Sequence, residues 1–243
     1  MRPKLKIRSR SVIWSVMFAL VLGFRPGAAQ TTTTLSTLEA TTGWDSCTSC
    51  AGGGANALYS MTQGVVSPSL NGNSTKFWVG GTTPYSHGLW WNRLGNSVSA
   101  HNFTVDMYYL MPNPTLSQGL EFAANQAIDG RWYKWSTQCS FKTKHAWAVY
   151  DAVSKAWVAT SVPCVPPVAS TWTHVIFEYQ RTTTNMTKFV SISVNGQKYY
   201  INKQFAPLPT SSSGSYGVHF QLNGDKYQDD YSVYVNKMKL TYW

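Results

Sequence analysis

Acidic residues are scarce in this chain of 243 residues, with ten Asp and Glu against twenty Lys and Arg, so any chemistry that needs paired carboxylates has few to draw on. Past residue 42 the only glutamates are Glu121 and Glu178. There is no G-x-S-x-G, no H-E-x-x-H and no phosphate-binding glycine loop, which excludes a nucleophile-elbow hydrolase, a helix-borne zinc protease and a P-loop enzyme. After the first 24 residues no apolar run approaches the length of a bilayer-spanning helix. No basic run and no arginine series at helical spacing follows either, so nucleic acid is not an expected partner. Internal repeats are also lacking.

What the N-terminus does contain is a targeting pattern. Arg2, Lys4, Lys6, Arg8 and Arg10 precede the apolar run SVIWSVMFALVLGF, and RPGAAQ then places the small Gly27 and Ala29 before a cut. Basic, apolar and small residues in that order describe a secretory signal, and the apolar run is short for a span. Residues 1–29 are therefore read as the signal, which makes the mature chain secreted, extracellular or periplasmic. Six of the twenty basic residues leave with it. The remaining 14 basic residues against 10 acidic ones give a formal charge of +4 rather than +10. Arg131, Lys134, Lys142 and Lys144 form a loose basic cluster, suited either to solubility or to an acidic polysaccharide. Residues 30–42, with TTTTLSTLEATT, are polar and without a hydrophobic period, and read as a linker. One domain over residues 43–243 follows.

Four cysteines remain, Cys47, Cys50, Cys139 and Cys164. In an exported chain an even number points to disulfides, and four cysteines allow three connectivities. Cys47 with Cys50 and Cys139 with Cys164 is the expected pairing, the second closing a hairpin-sized excursion. A redox CxxC needs a helix to start at the motif, and AGGGANA is a poor start. A zinc site is disfavoured because the second pair lacks short ligand spacing.

Elsewhere the pattern is β. KFWVGG, HNFTVDMYYLM, GLEFAANQ, RWYKWSTQC, HAWAVYD, AWVATSVPC, WTHVIFEYQR, TKFVSISVNGQKYYINKQF, YGVHFQLNG and YSVYVNKMKLTYW are short runs rich in β-branched and aromatic residues. Asn195-Gly196 inside one of them is a two-residue hairpin signal, because both turn positions need positive φ. Many strands and almost no helix make a two-sheet sandwich or a closed barrel.

The second half of the chain carries a resemblance. STWTHVIFEYQR followed by TKFVSISVNGQKYYIN resembles the W-x-H-V strand and V-N-G hairpin of laminin G-like and related concanavalin A-like lectin/glucanase domains. YSVYVNKMKLTYW is similar to the closing strand of that superfamily. The motif match covers about residues 170 to 243. It implies an all-β fold, an antiparallel β-sandwich of the jelly-roll type, with a carbohydrate site on the concave sheet. It also implies that His174, in the W-x-H-V position, is a structural residue that satisfies a neighbouring backbone group.

Strand alternation then nominates residues for such a site. With Leu120, Phe122 and Ala124 inward, Glu121, Ala123 and Asn125 face out. With Val218, Phe220 and Leu222 inward, His219, Gln221 and Asn223 face out. Glu121, Asn125, His219 and Gln221 are thus expected to bind ligand. Trp91, Trp132 and Trp135 are expected to stack on sugar rings, since tryptophan joins a flat apolar face to a polar tip. Adjacent Trp90 and Trp91 cannot both face the core. Trp147, Trp157 and Trp172 are assigned to packing.

Whether the chain is catalytic is left open by the sequence. A glycosidase needs two carboxylates flanking the bond, and the E-x-D-x-x-E pattern of laminarinase-type glucanases is absent. The R-[ST]-E-L-R pattern of alginate lyases is absent too, although GVHFQLNGDKYQ resembles their late strand at a distance. If the chain is an enzyme, Glu121, Glu178 and His219 are the candidates, with Asp106 next. Asn223, Asp225, Asp229 and Asp230 in NGDKYQDD offer oxygen atoms to calcium, but not at EF-hand spacing. No cofactor is expected, calcium being the one ion that turn suits. The expected molecule is a monomeric, secreted, lectin-like domain whose partner is a polysaccharide or glycan.

Overall fold

The computed structural model describes residues 31–48, 50, 57–96, 98–212 and 214–243, and the signal read over residues 1–29 lies outside them. Thr31–Trp243 is one compact unit. Its strands are β1 Thr33–Leu35, β2 Trp44–Cys47, β3 Leu58–Val65, β4 Ser74–Gly80, β5 His87–Gly95, β6 Asn102–Leu110, β7 Ser117–Ile128 and β8 Arg131–Ser140. They continue with β9 Ala146–Asp151, β10 Ala156–Pro163, β11 Thr173–Arg181, β12 Thr187–Val194, β13 Gln197–Phe205, β14 Leu208–Pro209, β15 Ser215–Gly224 and β16 Tyr231–Tyr242.

Two antiparallel sheets form a jelly-roll sandwich. The first has the order β13-β12-β11-β6-β16-β4-β3, with β1 beside β16. The second has the order β10-β9-β8-β7-β15-β5-β2, with β14 beside β8. Period-two alternation in each strand sends one apolar row into the space between them. Phe103, Val105, Met107, Val175, Phe177, Val233 and Val235 come from the first sheet, and Leu120, Phe122, Trp135, Val218, Phe220 and Leu222 from the second, all buried. Aromatic pairs join the layers: Phe122 lies 5.1 Å from Phe177, Phe77 4.9 Å from Phe220, and Trp135 5.9 Å from Tyr179. Asn195 and Gly196 turn the β12–β13 hairpin with φ of 49° and 86°, as an Asn-Gly turn requires. β2, β3 and β5 fall outside the runs picked out by composition. LYSMTQGV is an exposed edge strand, and HGLWWNRLG mixes glycine, Asn and Arg among its apolar residues.

Two disulfides form, Cys47–Cys50 and Cys139–Cys164, the latter with Cα atoms 5.5 Å apart.

The stretch read as a linker is instead part of the fold. β1 pairs with Tyr242, Thr241 and Leu240 of β16, while Leu38 and Glu39 are buried. The ladder between β16 and β6 shifts register between Asn236 and Lys239, where Lys237 adopts a left-handed φ of 54°. Such a bulge turns backbone N–H groups away from the ladder. The Glu39 carboxylate accepts both, Lys237 N at 2.7 Å and Met238 N at 2.9 Å. The Glu39 carbonyl accepts from Thr75 Oγ1 at 2.6 Å and Gln63 Nε2 at 2.8 Å. A polar segment without hydrophobic period is held here by hydrogen bonds, which a periodicity reading does not register.

Candidate functional site

The outward face of the second sheet carries most of the nominated residues, and its register sets them in rows. Gln138 of β8, Glu121 of β7, Gln221 of β15 and Leu89 of β5 lie side by side across four strands. The next row is Ser136, Ala123, His219 and Trp91, with Asp45 beyond on β2. Lys134 pairs with Asn125, Asn125 with Gly217, and Trp132 with Ala127.

Small residues sit in the middle and large ones around them, which makes the groove. Ala123, Ser136 and Gly217 leave the floor low. Gly217 cannot carry a side chain, because a Cβ there would stand 2.4 Å from the Asn92 carbonyl oxygen. One cavity, of about 430 Å³, is lined by Glu121, Gln138, Gln221 and His87, with Tyr150 and Trp157 from β9 and β10. A second, of about 620 Å³, is lined by Trp91, Trp132, Asn125, Arg93 and Tyr216. Lys134, His219, Leu89 and Cys50 line both, so the two are one continuous groove. From Trp132 to Gln138 it runs six residues along β8, about 20 Å at strand rise.

Glu121 is the polar centre of the floor. Its Oε1 accepts from three side-chain amides, Gln221 Nε2 at 2.9 Å, Gln138 Nε2 at 3.1 Å and Asn223 Nδ2 at 3.1 Å. Oε2 has no protein donor among the described residues. Burial pushes the carboxyl up to about 7, against the pull of the Asn223 amide, the Lys134 charge and the Gln138 amide. Gln221 also donates to Asn223 Oδ1 at 2.7 Å, so the amide orientations are linked.

Beside this network, the Asn125 amide donates to His219 Nε2. Burial, and secondarily the Lys134 charge, hold the imidazole down at about 4, so it is neutral at pH 7 and its proton sits on Nδ1. Burial also lowers the Lys134 ammonium, with Glu121 pulling the other way. His87 is lowered as well, again mainly by burial.

The structure brings together Glu121, Asn125, Trp91, Trp132, His219 and Gln221, and it excludes Trp135. That ring is fully buried, 5.1 Å from Phe103 and 6.0 Å from Tyr133. Alternation decides it: with Trp132, Lys134, Ser136 and Gln138 outward, Trp135 must point inward. Trp90 is likewise in the core and Trp91 outside it. Glu178 is not in the groove either. It lies on the other sheet, bonded to Lys198 at 2.6 Å and Ser191 at 2.6 Å. Asp106 shares that sheet, between His174 Nε2 at 2.9 Å and Lys239 Nζ at 3.0 Å. His174 therefore bonds a carboxylate rather than the backbone group expected of it, and its ring stacks on Tyr108 at 4.2 Å.

Several groove residues escaped the sequence reading. Trp157 was assigned to packing, yet it lines the groove across from Tyr150. Gln138 carried an available signal, since alternation places it on the face of Trp132, and Lys134, read from the sequence only as part of a loose basic cluster, shares that face. No group of three or more His, Cys, Asp or Glu side chains among the described residues is arranged to hold a metal ion. In the turn considered for calcium, Asp225 pairs with Lys142 and accepts from Tyr227 N and Gln228 N, while Asp230 accepts from Gly81 N. Among the described residues, no helix is long and apolar enough to cross a membrane.

No family model and no curated protein matches the chain. Among solved structures it is similar to the potassium-bound carbohydrate recognition domain of Emp46p, at 11% identity over 75% of this chain and 87% of that one, with a TM-score of 0.44. The cellulose-induced protein Cip1 is 12% identical over 82% of this chain and 91% of its own, with a TM-score of 0.47. A family 11 carbohydrate-binding module from Clostridium thermocellum, in complex with a β-1,3-1,4-mixed-linked tetrasaccharide, is 12% identical over 86% and 94%, with a TM-score of 0.43.

Proposed function

We propose that this is a secreted, monomeric, lectin-like domain that binds a polysaccharide along the groove of its second sheet. The observation that carries the reading is the composition of one surface: a floor of linked amides and one carboxylate, walled by Trp91, Trp132, Tyr150 and Trp157. Sugar rings present apolar faces to aromatic planes and hydroxyls to polar groups, and a groove of this kind meets both demands at once. The floor is preorganised, because Glu121, Gln138, Gln221 and Asn223 fix one another before a ligand arrives. The signal sequence read over residues 1–29 and the two disulfides support an exported protein.

Glu121 serves here as a hydrogen-bond acceptor. It is the one Asp or Glu among the described residues lining the groove, whereas two-carboxylate glycoside hydrolysis needs a partner across the bond. The test is affinity electrophoresis of the mature protein through gels containing a panel of polysaccharides. Retardation by at least one polymer, lost in Trp132→Ala, is expected. Equal mobility in every gel overturns the reading.

A further inference from the structure

Three cations elsewhere in the molecule stand against carboxylates, Lys142 with Asp225, Lys198 with Glu178 and Lys239 with Asp106. The groove holds cations as well. Lys134, Lys155 and Arg93 line it, and none of the three has a carboxylate within ion-pair distance among the described residues. Lys134 is the central one, lining both cavities. Its Nζ stands 5.0 Å from the Tyr150 ring centre and 5.7 Å from that of Trp132, so it is held between the aromatic walls. Arg93 spends Nη2 on the Gly214 carbonyl at 3.2 Å. Asp45, cross-strand from Trp91, lines neither cavity.

A half-buried cation without a counter-ion is costly, and a ligand anion that reaches it removes that cost. Glu121 acts on Lys134 only from beyond ion-pair distance and does not outweigh its burial, so the charge is offset in part. Resting on the polysaccharide reading of the groove, we infer that the polymer it takes is a polyuronate. One sugar carboxylate is seated at Lys134 between Trp132 and Tyr150, and neighbouring ones are drawn to Arg93 and Lys155 at the two ends. The neutral His219 adds no charge, and Glu121, with its carboxyl held near neutral pH, opposes an approaching anion less than an ordinary glutamate would.

The experiment compares polygalacturonate, its carboxyl-reduced neutral product and dextran sulfate in affinity electrophoresis at fixed ionic strength, with wild type, Lys134→Met and Lys134→Arg. Wild type is expected to hold polygalacturonate tenfold or more tightly than the reduced polymer, the scale of one charge-assisted hydrogen bond. Lys134→Met should lose that preference and Lys134→Arg keep it, with unchanged thermal unfolding showing that both are folded. Equal binding of the charged and reduced polymers overturns the polyuronate assignment while leaving the polysaccharide reading intact. Dextran sulfate held as tightly as polygalacturonate overturns it in favour of bulk charge. Failure of all three polymers together with the polysaccharide panel above removes the underlying reading itself.

Discussion

Replacing Glu121 by Gln should make the protein more stable at alkaline pH, by an amount that grows with pH. Gln keeps an oxygen for the amides of Gln138, Gln221 and Asn223 and removes the ionisation. In the folded chain the carboxyl titrates at about 7 rather than at the ordinary 4.5. Folding therefore favours its protonated form, and the stability this gives is full below pH 4.5 and lost as pH rises through 7. A displacement of that size corresponds to about 3 kcal/mol. His219 works in the opposite sense. Its folded value of about 4 lies below the ordinary 6.5, so its contribution is full above pH 6.5 and lost as pH falls toward 4. His87 and Lys134, both lowered mainly by burial, also line the groove, so the wild-type profile alone does not isolate Glu121. The difference between Glu121→Gln and wild type does. Urea denaturation at pH 4, 5, 6, 7 and 8 and fixed ionic strength should show that difference rising by about 3 kcal/mol across the series, most of it between pH 5 and 7. A difference that stays constant with pH would refute the reasoning, since the carboxyl would then titrate alike in both states.

Three further outcomes are expected. Trp132→Ala should leave thermal unfolding nearly unchanged and weaken polysaccharide binding tenfold or more, whereas Trp135→Ala should cost about 3–5 kcal/mol of stability, as read from paired melts and affinity gels. Glu39→Ala strands the N–H groups of Lys237 and Met238 and should cost about 3 kcal/mol in urea denaturation; a loss below about 0.5 kcal/mol would show that the N-terminal segment is not pinned there. Replacing Cys139 and Cys164 together by Ala removes a cross-link spanning 25 residues and should lower stability by about 3 kcal/mol in the same assay.

Strand alternation made the two-sheet fold and half of the groove legible before any coordinates. Glu121, Asn125, His219 and Gln221 face away from Leu120, Phe122, Val218 and Phe220 because a strand leaves no other option. Applied strictly to RWYKWSTQC, the same rule also separates Trp132 from Trp135. Grouping them by aromatic character put a core residue on the surface. Tyr150 and Trp157 were harder to see, since they join the site only through the β8-β9-β10 register, which no local pattern encodes. Glu39 was hidden for a related reason. Its partners are two backbone N–H groups nearly 200 residues away, freed by a bulge that is itself a product of tertiary pairing. His174 illustrates the limit of family habit: the strand matched, but the ring's partner came from Asp106 on the adjacent strand.

The most direct test of the central claim incubates purified mature protein with a panel of polysaccharides. Pull-down is measured together with reducing-sugar release and absorbance from unsaturated products, with Trp132→Ala alongside. The account predicts retention on at least one polymer, no new chain ends, and loss of retention in the variant. New ends or unsaturated products that vanish in Glu121→Gln or in a His219 variant would contradict it and make the groove a catalytic site.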